Sequence, residues 1–254
     1  MIHDSTCKNC GATLSGNFCS NCGQKSEIHR VTFGHFAHEF FHAFTHTDKG
    51  ILLLMKELIT RPGHVAREYL DGKRKKYFNP LTFLIILSSL YVLFGQKTGY
   101  FEALSTGNKG GGYTGQGKEI YIEAMGIMDE QGKIVSLFLM PVLISFFTWI
   151  FFYKSKNNLT ENLVLNSMVL GQVYLTRICI FIPAFVLFPS IPIYYNDGLF
   201  HLVMLVYLTI AYKQFFRNNI FLTILKVIFI IILFIVFFWV FVYGYVIVKH
   251  MILH

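Results

Sequence analysis

The chain has 254 residues, 54% hydrophobic and only 14% charged, with a formal net charge of +8. Its mean hydropathy of +0.51 excludes an ordinary soluble domain and points to a protein that spans a membrane. The long apolar runs all follow residue 77, and a basic cluster, Lys73-Arg74-Lys75-Lys76, stands directly before the first of them.

In chain order, the N-terminus MIHDSTCKNCG has no apolar h-region and does not read as a cleavable signal peptide. Cys7, Cys10, Cys19 and Cys22 follow, while Cys179 stands alone in an apolar segment. Without an export signal, such a cluster suits a reducing compartment and a metal rather than disulfides. The pattern also repeats: C-K-N-C-G-A is answered by C-S-N-C-G-Q. Each CxxCG half predicts a tight knuckle, with Gly11 or Gly23 serving the turn after the second thiolate. Two facing knuckles supply four thiolates in a closed tetrahedral shell, which predicts one structural Zn²⁺ in a ribbon over residues 1–26. Rubredoxin-like iron and a redox dithiol pair are the alternatives for this spacing. A stretch this short has no core of its own, so the metal supplies much of its folding free energy. Lys8 and Lys25 are its only basic residues, which argues against a nucleic-acid surface.

Residues 27–77 form the next unit, cytosolic or interfacial. HFAHEFFHAFTH, residues 35–46, places His35, His38, His42 and His46 within about 80° on a helix, with Glu39 on the same face. Phe33, Phe36, Phe40, Phe41 and Phe44 gather opposite. The pattern reads as an amphipathic helix at the membrane interface. Two or three of its imidazoles could hold a second metal, and their charge rises below about pH 6.5. Residues 51–59 are apolar but too short to cross, and read as an amphipathic or re-entrant piece stopped by Arg61-Pro62-Gly63. Arg67, Lys73, Arg74, Lys75 and Lys76 then form a lipid-headgroup anchor, each cation gaining about 1 kcal/mol near an anionic leaflet.

The remainder, 78–254, predicts an all-α polytopic membrane domain with about five spans: 78–96, 134–153, 163–188, 193–212 and 219–248. Basic residues recur in alternate short loops: six between Arg61 and Lys76, then Lys154 and Lys156, then Lys213 and Arg217. That distribution puts the N-terminus in the cytosol and the C-terminus outside. The glycine-rich loop 97–133 is then extracytoplasmic. Within it, Gly112–Lys118 imitates a phosphate-binding loop, but Glu119 stands where Ser or Thr would bind Mg²⁺ and no apolar strand precedes it, so no nucleotide is expected. Arg177 lies inside the third span, with Asn162, Asn166, Gln172 and Thr176 on a shared face about 140° wide. Intramembrane charge usually faces a partner or a cavity, with snorkelling and a transport path as the other readings. No catalytic acid/base set is visible.

The order of features resembles one family in particular. FCSNCGQ is followed by FFHAFTHTDKG, then LITRPGHVAREYLDGKRKKYFNP, then membrane spans. This resembles a Bacteroidota family of uncharacterised membrane proteins with an N-terminal zinc ribbon, domain-of-unknown-function family 3667, over residues 7 to 95 and more loosely through the spans. The resemblance implies a bacterial inner-membrane protein with a cytosolic ribbon and brings no activity with it. The favoured expectation is a non-enzymatic membrane protein whose ribbon and His/Phe helix serve a protein partner or the membrane surface. A transporter or lipid-handling protein built around Arg177 is the alternative, and a metal-dependent membrane enzyme using His35, His38 and His42 is the third.

Overall fold

The computed structural model describes residues 6–28, 30–32, 50–107 and 139–253. The histidine face at 35–46 and the Gly112–Lys118 stretch lie outside the described residues. Among the described residues the protein is helical, with only two isolated bridges, Thr6 to Thr13 and Phe18 to Lys25, in the ribbon.

Two short helices precede the membrane spans: α1, Gly50–Thr60, and α2, Pro62–Leu70. Pro62 causes the break, because it has no N–H to continue α1, yet it suits the first turn of α2. Asn79 caps the first span, α3 (Pro80–Lys97), by accepting the Leu81 and Thr82 amides, and Pro80 again takes the first helical position. The short helix α4, Tyr100–Gly107, follows. The expected second span is described from residue 139, as the apolar helix α5, Leu139–Phe151.

The next span is Leu159–Leu187, in three parts. Its first part, α6 (Leu159–Thr176), opens on a capping box: Asn158 accepts the Glu161 amide while the Glu161 carboxylate accepts the Asn158 amide. A π-helical turn, Arg177–Phe181, follows, and then α7, Ile182–Leu187. Pro183 removes the N–H that an α-turn would offer to the Cys179 carbonyl, and the helix widens just ahead of it. The expected break at Pro189 and Pro192 is present: α8 runs Ile193–Phe216 and ends on Arg217 in the left-handed region, φ 54°. The last helix, α9 (Ile220–Leu253), has 34 residues. At about 1.5 Å per residue it exceeds a hydrocarbon layer of about 30 Å, so it tilts or projects beyond it. Four helices (α3, Leu159–Leu187, α8 and α9) are thus long and apolar enough to cross a membrane.

The core lies between α3, α5, α6 and α8. A methyl on Gly171 would lie 2.5 Å from the Phe83 ring, so its absence lets α3 and α6 approach closely. At the centre Asn166, fully buried, accepts the Tyr212 hydroxyl at 2.6 Å and donates to Ser145 Oγ at 3.2 Å and to the Asn162 carbonyl at 3.0 Å. One polar side chain thereby joins α5, α6 and α8 where lipid offers no alternative partner.

The two ends of the bundle differ in what meets there. At one end lie the approach to α3, the α5–α6 connection, the C-terminus of α8 and the start of α9. Phe152 stacks on Phe216 at 3.9 Å between ring centres, and Lys226 lies over the Phe152 ring. At the other end meet the later turns of α3, the π turn and the start of α8. The ribbon sits at the first end.

Candidate metal centre and its docking surface

Each ribbon knuckle is built by the same local bonds. The Gly11 amide donates to the Cys7 carbonyl and the Gly23 amide to the Cys19 carbonyl, both at 2.8 Å; the Cys7 and Cys19 amides reach back to the carbonyls of Ala12 and Gln24. Gly11 and Gly23 have φ of 75° and 70°, a conformation that costs glycine nothing and other residues about 1 kcal/mol or more. These turns fold the four thiols inward.

The four sulfurs lie within 4.8 Å of one another, with Cys7 and Cys22 Sγ 3.6 Å apart and Cys10 and Cys19 Sγ 3.5 Å apart. Those separations are far beyond the roughly 2.05 Å of a disulfide. A tetrahedron with metal–sulfur bonds of about 2.3 Å has edges of about 3.8 Å, so the donor set fits a four-thiolate metal ion. Cys7 and Cys19 are buried, whereas Cys10 is exposed. The Ala12 backbone hydrogen bond draws the Cys10 thiol down to about 6, and burial pushes Cys22 up to about 11. A bound cation would hold all four as thiolates.

The ribbon is docked on the span-connecting segments. Asn9 Oδ1, inside the first knuckle, accepts the Lys76 backbone N–H at 3.1 Å. Gln24 Oε1, just after the second, accepts the Lys75 backbone N–H at 3.3 Å. Beyond the ribbon, Arg30 forms a fork on Glu161 at 2.6 and 2.9 Å and also reaches the Lys156 carbonyl, while Asn158 Nδ2 donates to the Val31 carbonyl. The capping-box Glu161 therefore serves the helix and the docked segment together.

Beneath the ribbon lies a knot of charge from α1, α2 and the following loop. Glu68 meets Arg61 at 2.8 Å, Lys76 at 3.1 Å and Lys73 at 3.3 Å; Glu57 pairs with Arg61 and, at 3.5 Å, with Lys76. The Tyr77 hydroxyl faces both carboxylates, 2.6 Å from Glu57 and 2.9 Å from Glu68. Burial acts to raise both acids, but the hydrogen bonds win: those from Tyr77 and Arg61 hold Glu57 below the usual range, and those from Arg61, Tyr77 and Lys76 bring Glu68 down to about 2. Tyr77 is pushed far up, by burial first and then by the two carboxylates.

The residues of the expected headgroup anchor are thus divided. Lys73 and Lys76 lie on Glu57 and Glu68, Lys75 is exposed, and Arg74 is half-buried. Arg67 turns the other way, donating to the Phe215 carbonyl at the end of α8 and lying over the Phe215 ring, where burial lowers its pKa first and Arg217 second.

The expected polar face of the third span is divided too. Asn166 points into the α5–α8 interior, while the Asn162 side chain and the Thr176 hydroxyl bond back to the carbonyls of Asn158 and Gln172. Arg177, in the π turn, is turned toward the far end, where it meets Tyr91 OH at 3.0 Å and Asp197 Oδ1 at 3.1 Å, its guanidinium 3.7 Å from the centre of the Phe200 ring. It is 9% exposed. Asp197 also lies 3.3 Å from His201.

Sequence reasoning did not find Asn9, Gln24, Glu57, Glu68, Tyr77 or Asp197. Two signals were there: Glu57 and Arg61 at i, i+4, and Asn158-x-x-Glu161 as a capping box. No curated protein and no solved structure matches the chain. Residues 48–92, which hold the whole charged knot and most of α3, match the family described as Protein of unknown function (DUF3667), in agreement with the resemblance read from the sequence.

Proposed function

We propose that this is a non-enzymatic membrane protein in which one structural Zn²⁺ braces a small ribbon against the ends of the spans, making a rigid platform for a protein partner. The observation that carries this reading is the pair of hydrogen bonds that Asn9 and Gln24 accept from the backbone amides of Lys76 and Lys75. Both knuckles hold the segment that leads into the first span, so metal binding and platform shape are coupled. A four-thiolate shell leaves no open coordination position, which suits a structural metal better than a catalytic one.

The setting is the inner membrane of a bacterium, with the ribbon in the cytosol and the C-terminus outside. Its support is the placement of cations: the basic run 61–76, Lys154, Lys156, Lys213 and Arg217 all belong to the ribbon end. The test is purification in mild detergent with metal analysis and identification of bound protein. One zinc per chain, and a partner lost on Cys19→Ser, support the reading. A substrate turned over by the purified protein, with turnover abolished by changing His35, His38 or His42, would overturn it. Two metals per chain would assign a second ion to that histidine face.

A further inference from the structure

The elbow between α1 and α2 leaves backbone groups without their helical partners. Pro62 has no N–H, so the Leu58 carbonyl lacks its usual donor, and the Thr60 carbonyl and Gly63 amide also fall at the break. Such groups are ordinarily hydrated. Here two side chains of α8 take the place of water: Tyr207 OH donates to the Leu58 carbonyl at 2.9 Å, while Gln214 donates to the Thr60 carbonyl at 3.4 Å and accepts the Gly63 amide at 3.0 Å. The approach is close, since a methyl on Gly63 would lie 2.2 Å from the Ala211 carbonyl oxygen.

Depth follows from the same contacts. Tyr207 precedes Phe216 by nine residues, about 14 Å of helix. Its side chain leans toward the N-terminus of α8, away from the ribbon end. With 24 residues, α8 is about 36 Å long, against a hydrocarbon thickness of about 30 Å. The Leu58 carbonyl therefore meets α8 well short of its end, where acyl chains around the elbow would offer an unpaired backbone group no partner.

The outer face of α1 agrees with that position. Leu54 and Leu58 are fully buried against the bundle, while Leu52 and Ile59 are 74% and 65% exposed. Val206 and Ile210, flanking Tyr207 on α8, are exposed as well, so the apolar surface runs on from the span to the elbow. Glu57 is turned into the charged knot, and Lys56 has a stem long enough to reach the headgroups.

We propose that α1 and the first turn of α2 form a re-entrant hairpin whose outer face, Leu52, Leu53 and Ile59, is covered by the acyl chains of the leaflet on the ribbon side. The contact is independent of the metal, so its failure would leave the zinc-braced platform standing. The test uses the full chain in phosphatidylethanolamine/phosphatidylglycerol vesicles, with Trp149→Phe and Trp239→Phe removing the native tryptophans. Single tryptophans introduced by Leu52→Trp or Ile59→Trp should emit to the blue, be strongly quenched by lipids brominated on the acyl chain and resist acrylamide. Lys25→Trp, in the ribbon, should behave in the opposite way. Acrylamide quenching at 52 and 59 would overturn the proposal by showing water there, and quenching by neither agent would overturn it by showing a protein cover. A benzophenone amino acid at position 59 of the otherwise unchanged chain decides the matter without the tryptophan replacements: a lipid adduct supports the hairpin, whereas protein adducts alone, or none, refute it.

Discussion

The two ends of the bundle hold charge in opposite ways. At the ribbon end, Glu57 and Glu68 share Arg61, Lys76 and Tyr77, Lys73 adds a further contact to Glu68, and water reaches the edges. At the far end a single buried guanidinium has one carboxylate, one hydroxyl and an aromatic face. Redundancy in a partly wet site makes each pair individually weak, whereas a buried pair with few substitutes fails when either partner is removed. The ribbon end therefore needs another source of order, which the four thiolates supply if they hold a metal.

That contrast can be broken most severely at the metal. Chelation, or Cys19→Ser, should unfold residues 6–28 while the spans persist, because a structural zinc ion contributes about 10–16 kcal/mol to domains of this kind. Proteolysis of the ribbon with unchanged helicity of the membrane domain is the expected readout. Loss of both together would mean that the bundle depends on the ribbon.

At the far end, Arg177→Leu should cost about 3 kcal/mol or more, since Asp197 and Tyr91 lose their partner in a poorly solvated site. Adding Asp197→Leu should recover part of that loss, as a double-mutant cycle in thermal stability would show. A double-variant loss equal to the sum of the two single losses would make the pair a spectator. In the middle of the bundle, Asn166→Leu should cost about 1 kcal/mol, because the Tyr212 hydroxyl loses its shortest contact.

The smallest effect belongs to the redundant knot. Glu68 is held down to about 2 and Glu57 below its ordinary value of 4.5. Depressed carboxylates stabilise the fold fully above the ordinary carboxylate range, and that stabilisation disappears as pH falls toward about 2. Glu68→Gln should therefore melt slightly below the unmodified protein at pH 7 and converge with it on acidification. A gap that widens toward low pH would reverse the assigned sign.

The sequence was most readable where geometry follows from neighbours in the chain. CxxCG repeats force thiol-bearing turns, and runs of apolar residues declare spans by composition alone. The four clustered thiols appear in the structure, and among the described residues four of the five expected spans have a helix long enough to cross; the third starts at Leu159 rather than 163, and the second is described only as Leu139–Phe151. Partners far apart in sequence were not readable. Asn9 and Lys76 meet only because the ribbon folds back, and Arg177 meets Asp197 only because the chain reverses after Phe188 and returns as α8. The Asn158-Leu-Thr160 triplet shows the intermediate case: it has the glycosylation pattern, yet Asn158 caps a helix, a role signalled by Glu161 one residue farther on.

The most direct test of the account is amide hydrogen exchange across residues 72–78, with the metal bound and after chelation. The docked ribbon predicts slow exchange at Lys75 and Lys76 in the metal-bound protein and a marked acceleration on chelation, with the α3 amides unchanged. Equal exchange in both states would contradict it, showing that the ribbon does not hold the segment leading into the membrane.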